Sequence, residues 1–260
     1  MAKSVGPALT VVPRYEVIGI EGLPEIGAGV DLGRLIAEAA ARQGTPLQAA
    51  DLLVVSQKIV SKAEGRIVRL SEVIPSPQAE VLARELGRDS RLIEVILGES
   101  RRVVRQDKGV LIVETHHGWV CANAGVDQSN VDADTACLLP KDADASARSL
   151  LRRLTELTGH ELAIIVADTF GRPWREGLTN VAVGVAGFDP LKSYLGEQDP
   201  AGHVLQATVL ALADELAGAA EPVMGKLARI PVAIVRGLAW ERADISSRAL
   251  LRDPTRDLFR

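Results

Sequence analysis

Cysteine, aromatic residues and long apolar runs are all scarce in this chain, and each scarcity excludes something. The only cysteines, Cys121 and Cys137, cannot build a disulfide framework or a zinc motif. Both are predicted to be small apolar fillers. Aromatics make up 3% of the residues, so the core has to be built from Val, Leu, Ile and Ala. No apolar run approaches the ~18 residues needed to cross a bilayer. The opening stretch MAKSVGPALTVVPRYEV lacks the continuous apolar segment of a leader peptide. A cytoplasmic protein is expected, without membrane association. The formal net charge is -4 and there is no long basic run, which argues against a nucleic-acid partner. The familiar signatures are missing too: no G-x-x-x-x-G-K-[ST], no G-x-G-x-x-G and no G-x-S-x-G occurs. None of the four histidines sits in a spacing that predicts metal ligation.

What remains is an ordinary globular composition, 47% apolar and 25% charged, over 260 residues. The pattern predicts a strand over Tyr15 to Ile20, a loop through GLPEIGAG, and a helix capped by Asp31 with Leu32, Leu35, Ile36 and Ala39 on one face. DLLVVSQKIV reads as one buried strand that delivers SKAEGR to the end of a sheet. Residues 77–98 read as helical with a break near Gly87. Two strands around a turn at Asp107 to Gly109 follow, then a short strand from Gly118 to Ala122. A helix starting at Asp144 or Ser146 carries the stripe Leu150, Leu151, Leu154, Leu157 and stops at Gly159. ELAIIVAD is a second buried strand, TFGRPWREG a loop and TNVAVGVAG a strand. Val204 to Ala219 reads as a long amphipathic helix, and Ile230 to Arg236 as a late strand. Strands and helices interleave without strict alternation, which predicts an α+β fold of mixed sheets with flanking helices. The whole of residues 1–260 is expected to form one domain, with a candidate subdomain division near 140–145.

Three segments carry polar residues that packing does not call for. In SQKIVSKAEGR, Lys58 and Lys62 offer point charges for phosphates and Gly65 allows close backbone approach; a solvated strand end reads the same way. In NAGVDQSN, Asp127 can hold a hard cation and Asn130 can orient a ligand; a self-capping polar turn is the alternative. In ADTFGRPWREG, Asp168 follows a buried strand as a metal ligand would. Thr169 adds an oxygen, and Arg172 and Arg175 can neutralise phosphate; a surface Asp–Arg pair is the alternative.

In these same segments the chain resembles the coenzyme F420-0:L-glutamate ligase (gamma-glutamyl ligase) family. The likeness runs from GLPEIGAGVDL through VVSQKIVSKAEGR, NAGVDQSNVD, LLPKDADASA and VADTFGRPWREG to MGK and IPVAIVRGL, over about residues 15–240. NAGVDQSN and ADTFGRPWR are specific in combination, order and spacing. The likeness is to the stand-alone form, without a following nitroreductase-like domain, and the tail DLFR resembles the start of the linker that leads to it.

The resemblance implies a GTP-dependent enzyme of coenzyme F420 biosynthesis that adds L-glutamate to an F420-0-type acceptor through an acyl phosphate. It implies two divalent cations (Mg²⁺ or Mn²⁺), K⁺ as a further candidate, and a homodimer. Leu23, Pro24, Glu25 and Ile26 would lie along GTP, and Gln57, Lys62 and Asn130 would contact it. Asp127 and Asp168 would bind one cation and Thr169 would help bind the second. Asp127, Asp168 and Lys62 would carry the catalysis. One departure stands out: MGKLARIP puts Lys226 where family members have an acidic residue, which leaves the second cation's ligand set open. Another amide ligase or phosphotransferase on the same scaffold, or a non-catalytic nucleotide-binding homologue, are the alternatives.

Overall fold

The structure is a computed structural model that describes residues 13–107 and 109–257. The opening segment on which the leader expectation rests lies largely outside these residues, as does the tail DLFR apart from Asp257. In chain order the strands are β1 (Glu16–Gly19), β2 (Leu52–Ser56), β3 (Ile67–Arg69), β4 (Ser100–Asp107), β5 (Val110–Thr115), β6 (Val120–Ala122), β7 (Thr135–Cys137), β8 (Ala163–Arg172), β9 (Arg175–Ala186), β10 (Lys192–Ser193), β11 (Val209–Leu210) and β12 (Val232–Arg236). The helices are α1 (Leu32–Arg42), α2 (Gln57–Ala63), α3 (Pro77–Leu86), α4 (Ser90–Gly98), α5 (Ala143–Thr158) and α6 (Leu212–Met224). The fold is α+β with mixed sheets, as the interleaved pattern predicts.

The central sheet has five strands in the order β1-β12-β2-β8-β9. Its β2–β8 pair is parallel, in register from Leu52↔Ala163 to Ser56↔Ala167, and its other pairs are antiparallel. Both faces are covered, which is why β2 and the start of β8 are unbroken apolar runs rather than alternating ones. Leu53, Val55, Ile164 and Val166 pack under α1 and α5, while Leu52, Val54 and Ile165 pack under α6. A third cluster gathers α3 and α4 against β5 and the segment around Ala124 to Leu138.

The local signals place several ends. Asp31 Oδ1 accepts the Arg34 N–H at 3.0 Å and so caps α1. Gly87 and Gly159 close α3 and α5 in the left-handed region, at φ 65° and 71°. Helix α5 starts slightly earlier than expected, capped by Asp142.

Three expectations need correction. DLLVVSQKIV is not a single strand: β2 stops at Ser56 and α2 begins at once. An apolar run this short serves either element, and in α2 the spacing puts Gln57 and Ser61 on one face, where Ser61 Oγ donates to Gln57 Oε1 at 2.9 Å. TFGRPWREG is not a loop: β8 runs on to Arg172 and β9 returns from Arg175, with Asp168↔Val181, Thr169↔Asn180 and Phe170↔Thr179 paired across the hairpin. Trp174 takes a left-handed φ of 56° in the intervening turn. The long helix begins at Leu212, not Val204, because Val209 and Leu210 pair with Ser193 and Lys192; it then continues through Pro222 to Met224.

Candidate functional site

The parallel pairing of β2 with β8 decides where the chemistry gathers. Ser56 and Ala167 end side by side, so α2 and Asp168 emerge at the same edge of the sheet. Ligands in sheets with parallel strands bind outside the carboxyl ends of those strands. Along β8, Val166 and Phe170 pack on the α1/α5 face, and strand alternation puts Asp168 on that face and Thr169 on the α6 face.

Asp127 reaches the same place from a different layer. Its backbone forms a two-way bridge with Cys137, N–H to O at 3.0 Å and 2.8 Å. The NAGVDQSN turn behind it is wound tightly: Asn123, Ala124 and Gly125 are all left-handed, at φ 55°, 56° and 70°. Two successive non-glycine residues in that region persist only where the surroundings hold them. Arg88 does part of this, donating to Asn123 Oδ1 at 2.6 Å. Asp127 Oδ1 accepts the Ser129 N–H at 2.7 Å, and Oδ2 accepts Ser129 Oγ at 2.8 Å and Lys58 Nζ at 2.6 Å. Burial raises the Asp127 pKa, but the bonds from Lys58 and Ser129 outweigh it and hold the carboxyl below its usual value.

Asp168 is the opposite case. Part of the residue remains accessible, yet its carboxyl is desolvated enough to push its pKa up to about 6. Burial dominates the rise and the charge of Asp127 adds to it. The Thr169 N–H bond and the more distant Lys58 and Lys226 only partly offset it. A carboxylate this desolvated, beside a second one and with no cation bonded to it, is the kind of group found at functional sites.

Lys62 Nζ, in the last turn of α2, meets the carboxylate of Glu25. That contact, with the Gly29 N–H to Ala63 O bond of 2.8 Å, brings the Leu23–Ile26 loop over α2. Pro24 and Glu25 are exposed, whereas Ile26 is buried and Leu23 packs on the core. Gln57 is 2% exposed and turned into α2, so it does not face the surface beside the other site residues. Asn130 is exposed at the turn next to Ser129, with a φ of 54°. Arg172 donates to the Glu176 and Gly177 carbonyls of its own hairpin, at 2.7 Å and 3.4 Å.

On the α6 face, Thr169 Oγ1 donates to Asn180 Oδ1 at 2.7 Å and accepts from Lys226 Nζ at 2.6 Å. Asn180 Nδ2 donates to Glu221 Oε2 at 2.8 Å, and Lys226 pairs with Glu221 Oε1 at 3.0 Å. The lysine that departs from the family pattern is thus tied to the very hydroxyl expected to help bind a cation. Asn180 and Glu221 were not legible as site residues, since only cross-strand register and the docking of α6 bring them there. The role of Lys58 had a signal: it lies four residues before Lys62, on the same face of α2.

Among the described residues no group of three or more His, Cys, Asp and Glu side chains gathers. A hard cation would therefore find two carboxylates, Asp127 and Asp168, and would need phosphate or water oxygens for the rest of its shell. The desolvated, unpaired Asp168 carboxyl fits that demand.

The F420-0:gamma-glutamyl ligase family model matches residues 21–237. The chain belongs to that family. Its similar relatives include three proteins named coenzyme F420:L-glutamate ligase. The Methanothermobacter thermautotrophicus protein is 48% identical over 94% of this chain and 98% of its own length. Those from Methanopyrus kandleri and Methanocaldococcus jannaschii are 44% and 38% identical, each over 95% of this chain and 97% of its own length. The matched region of the family model contains Asp127, Asp168, Lys58 and Lys62.

Proposed function

We propose that this protein is a GTP-dependent ligase that joins L-glutamate by an amide bond to the carboxylate of an F420-0-type acceptor in coenzyme F420 biosynthesis. The observation that carries the chemistry is that Asp168 and α2 emerge together where the parallel strands end, with Lys58 bonded to Asp127 and Lys62 to Glu25. The family, and the names of the relatives, support the substrates.

A carboxylate is a poor electrophile because it would have to expel oxide. In the proposed reaction an acceptor carboxylate oxygen attacks the γ-phosphorus of GTP and GDP leaves, forming an acyl phosphate. The glutamate nitrogen then attacks the acyl carbon and loses its proton, and inorganic phosphate departs with the electron pair of the C–O bond. The protein's part is to hold anionic partners together in a low-dielectric site. Lys62 sits under the Leu23–Ile26 loop, where a phosphate can replace Glu25 as its partner. Lys58 orients Asp127. Asp127 and Asp168 would hold a divalent cation, which would neutralise phosphate charge, while the Thr169 hydroxyl lies on the other face with Lys226. Lys226 supplies a fixed positive charge at Thr169 in place of an acidic side chain. The protein is further proposed to act in the cytoplasm and, as the resemblance implies, as a homodimer.

Incubating the protein with acceptor, GTP, Mg²⁺ and glutamate should give a product heavier by one or more glutamyl residues in the mass spectrum. Sustained GDP formation should require both acceptor and glutamate, acceptor alone giving at most about one equivalent per site. GTP hydrolysis that ignores both, with no product, would refute the reading.

A further inference from the structure

A cavity of about 280 Å³ opens on the α1/α5 side of the central sheet, outside the cluster just described. It lies between the turn after β5, the start of α5 and residues 246–248, with Val183 of β9 in its wall. Val183 is the extra residue of a bulge, since Val166 pairs with Gly184 and Ala167 with Ala182. Its carbonyl accepts Ser247 Oγ at 3.1 Å. Val183 packs in the same cluster as Val166 and Val181, and Val181 is the cross-strand partner of Asp168. The cavity therefore shares a face with Asp168, about 7 Å further along the strand at the usual rise per residue.

Three cations line it from three separate elements: Lys141 before α5, Arg148 within α5, and Arg248. None of the three side chains has an ion pair or a hydrogen bond to another described residue. Of the two carboxylates in the wall, Asp144 has both oxygens engaged and Asp142 one. Asp142 caps Ala145 N–H at 2.8 Å, and Asp144 accepts Val185 N–H at 2.8 Å, Ser246 Oγ at 2.6 Å and Ser247 N–H at 3.1 Å. Three cations with free donors outnumber the single carboxylate oxygen left without a partner, on Asp142, and form a receptor for an anion. His117 adds a further demand. Its Nε2 lies 3.0 Å from the Lys141 carbonyl, which can only accept, so that nitrogen donates. Nδ1 is buried and has no partner among the described residues.

We infer that this cavity is the subsite for the incoming amino acid, a small α-amino dicarboxylate, which on the proposed ligase reading is L-glutamate. Its volume lies just below the ~300–1,000 Å³ typical of ligand pockets, which suits an amino acid. Cations on three elements can engage carboxylates at both ends of such a molecule. Trp119 offers apolar surface to its methylenes. The inference rests on the ligase reading for the identity of the ligand, and on the cavity itself for its chemistry.

The test replaces the cations one at a time, as Lys141→Gln, Arg148→Gln and Arg248→Gln. All three side chains are exposed, so folding should survive, with the far-UV circular dichroism unchanged. The KM for glutamate should rise tenfold or more in at least two variants, while the KM values for GTP and acceptor stay within twofold. Saturation-transfer NMR should show glutamate bound to the wild-type protein and lost from the Arg148→Gln variant, with no dependence on turnover. An unchanged glutamate KM in all three variants overturns the inference. A rise confined to the acceptor KM also overturns it, by assigning the cavity to the acceptor's phosphate. Wild-type protein that binds glutamate but makes no glutamyl product would refute the ligase reading and leave the cavity's role standing.

Discussion

Replacing Asp168 by Asn should stabilise the metal-free protein at neutral pH while abolishing its activity. The folded protein holds the Asp168 proton more tightly than the unfolded chain, with a pKa of about 6 against an ordinary 3.8. Ionisation therefore costs stability progressively as pH rises through that window, and the whole penalty is present above it. Two pKa units at 1.36 kcal/mol each make this about 3 kcal/mol. Asn has nearly the same shape and no charge, so it removes the penalty. For a chain of this size that corresponds to a rise of roughly 5–10 °C in Tm. The assay is a thermal melt in excess chelator at pH 7.5 and at pH 4. The variant should melt higher than wild type at pH 7.5, and the gain should shrink at pH 4, where wild-type Asp168 is already protonated. Turnover of GTP with acceptor and glutamate should fall by at least a hundredfold, because the charge that would hold the cation is gone. A variant that melts lower than wild type at pH 7.5 would show that Asp168 is a structural partner. One that keeps near-normal turnover would remove it from the reaction.

Excess chelator should abolish product formation, and Mg²⁺ or Mn²⁺ should restore it, since the protein offers only oxygen ligands there; full activity in chelator refutes the metal role of Asp127 and Asp168. Gly184→Ala should lower stability by about 1–3 kcal/mol or more, because a Cβ there would lie 2.4 Å from the Ala143 carbonyl oxygen at the start of α5; a denaturation midpoint equal to wild type would contradict that packing. Asp51→Ala should cost about 3–5 kcal/mol, since Asp51 is 1% exposed and Arg236 reaches it with bonds of 2.9 Å and 2.7 Å; urea titration checks this, and a loss below 1 kcal/mol would show that Arg236 finds water instead.

The sequence by itself determined the elements whose signals are local. The apolar runs at 52–55 and 163–166 had to be buried strands, because a covered sheet is the cheapest place for so many β-branched and leucine side chains. Asp31, Gly87 and Gly159 marked helix ends because a capping carboxylate and a left-handed residue act within one turn. The polar segments around Asp127 and Asp168 also stood out, since packing gives no reason for them. The tertiary structure decided everything that depends on partners far along the chain. Ile59 and Val60 suit a strand or a helix equally, and only the core against which α2 docks selects the helix. The sequence of residues 169–177 reads as a loop, and pairing of 169–172 with 175–180 makes it a hairpin. Val209 and Leu210 leave the helical pattern because Lys192 and Ser193 offer them a ladder. The site follows the same division. The residue types were visible, but Lys58 and Asp127 lie 69 positions apart and meet only through the bridge at Cys137 and the start of α2 at Ser56. Lys226 reaches Thr169 across 57 positions, because α6 covers the opposite face of the sheet. A side chain's type can be read along the chain, whereas its charge state and its partner are set by the burial and the strand order that only the folded molecule has.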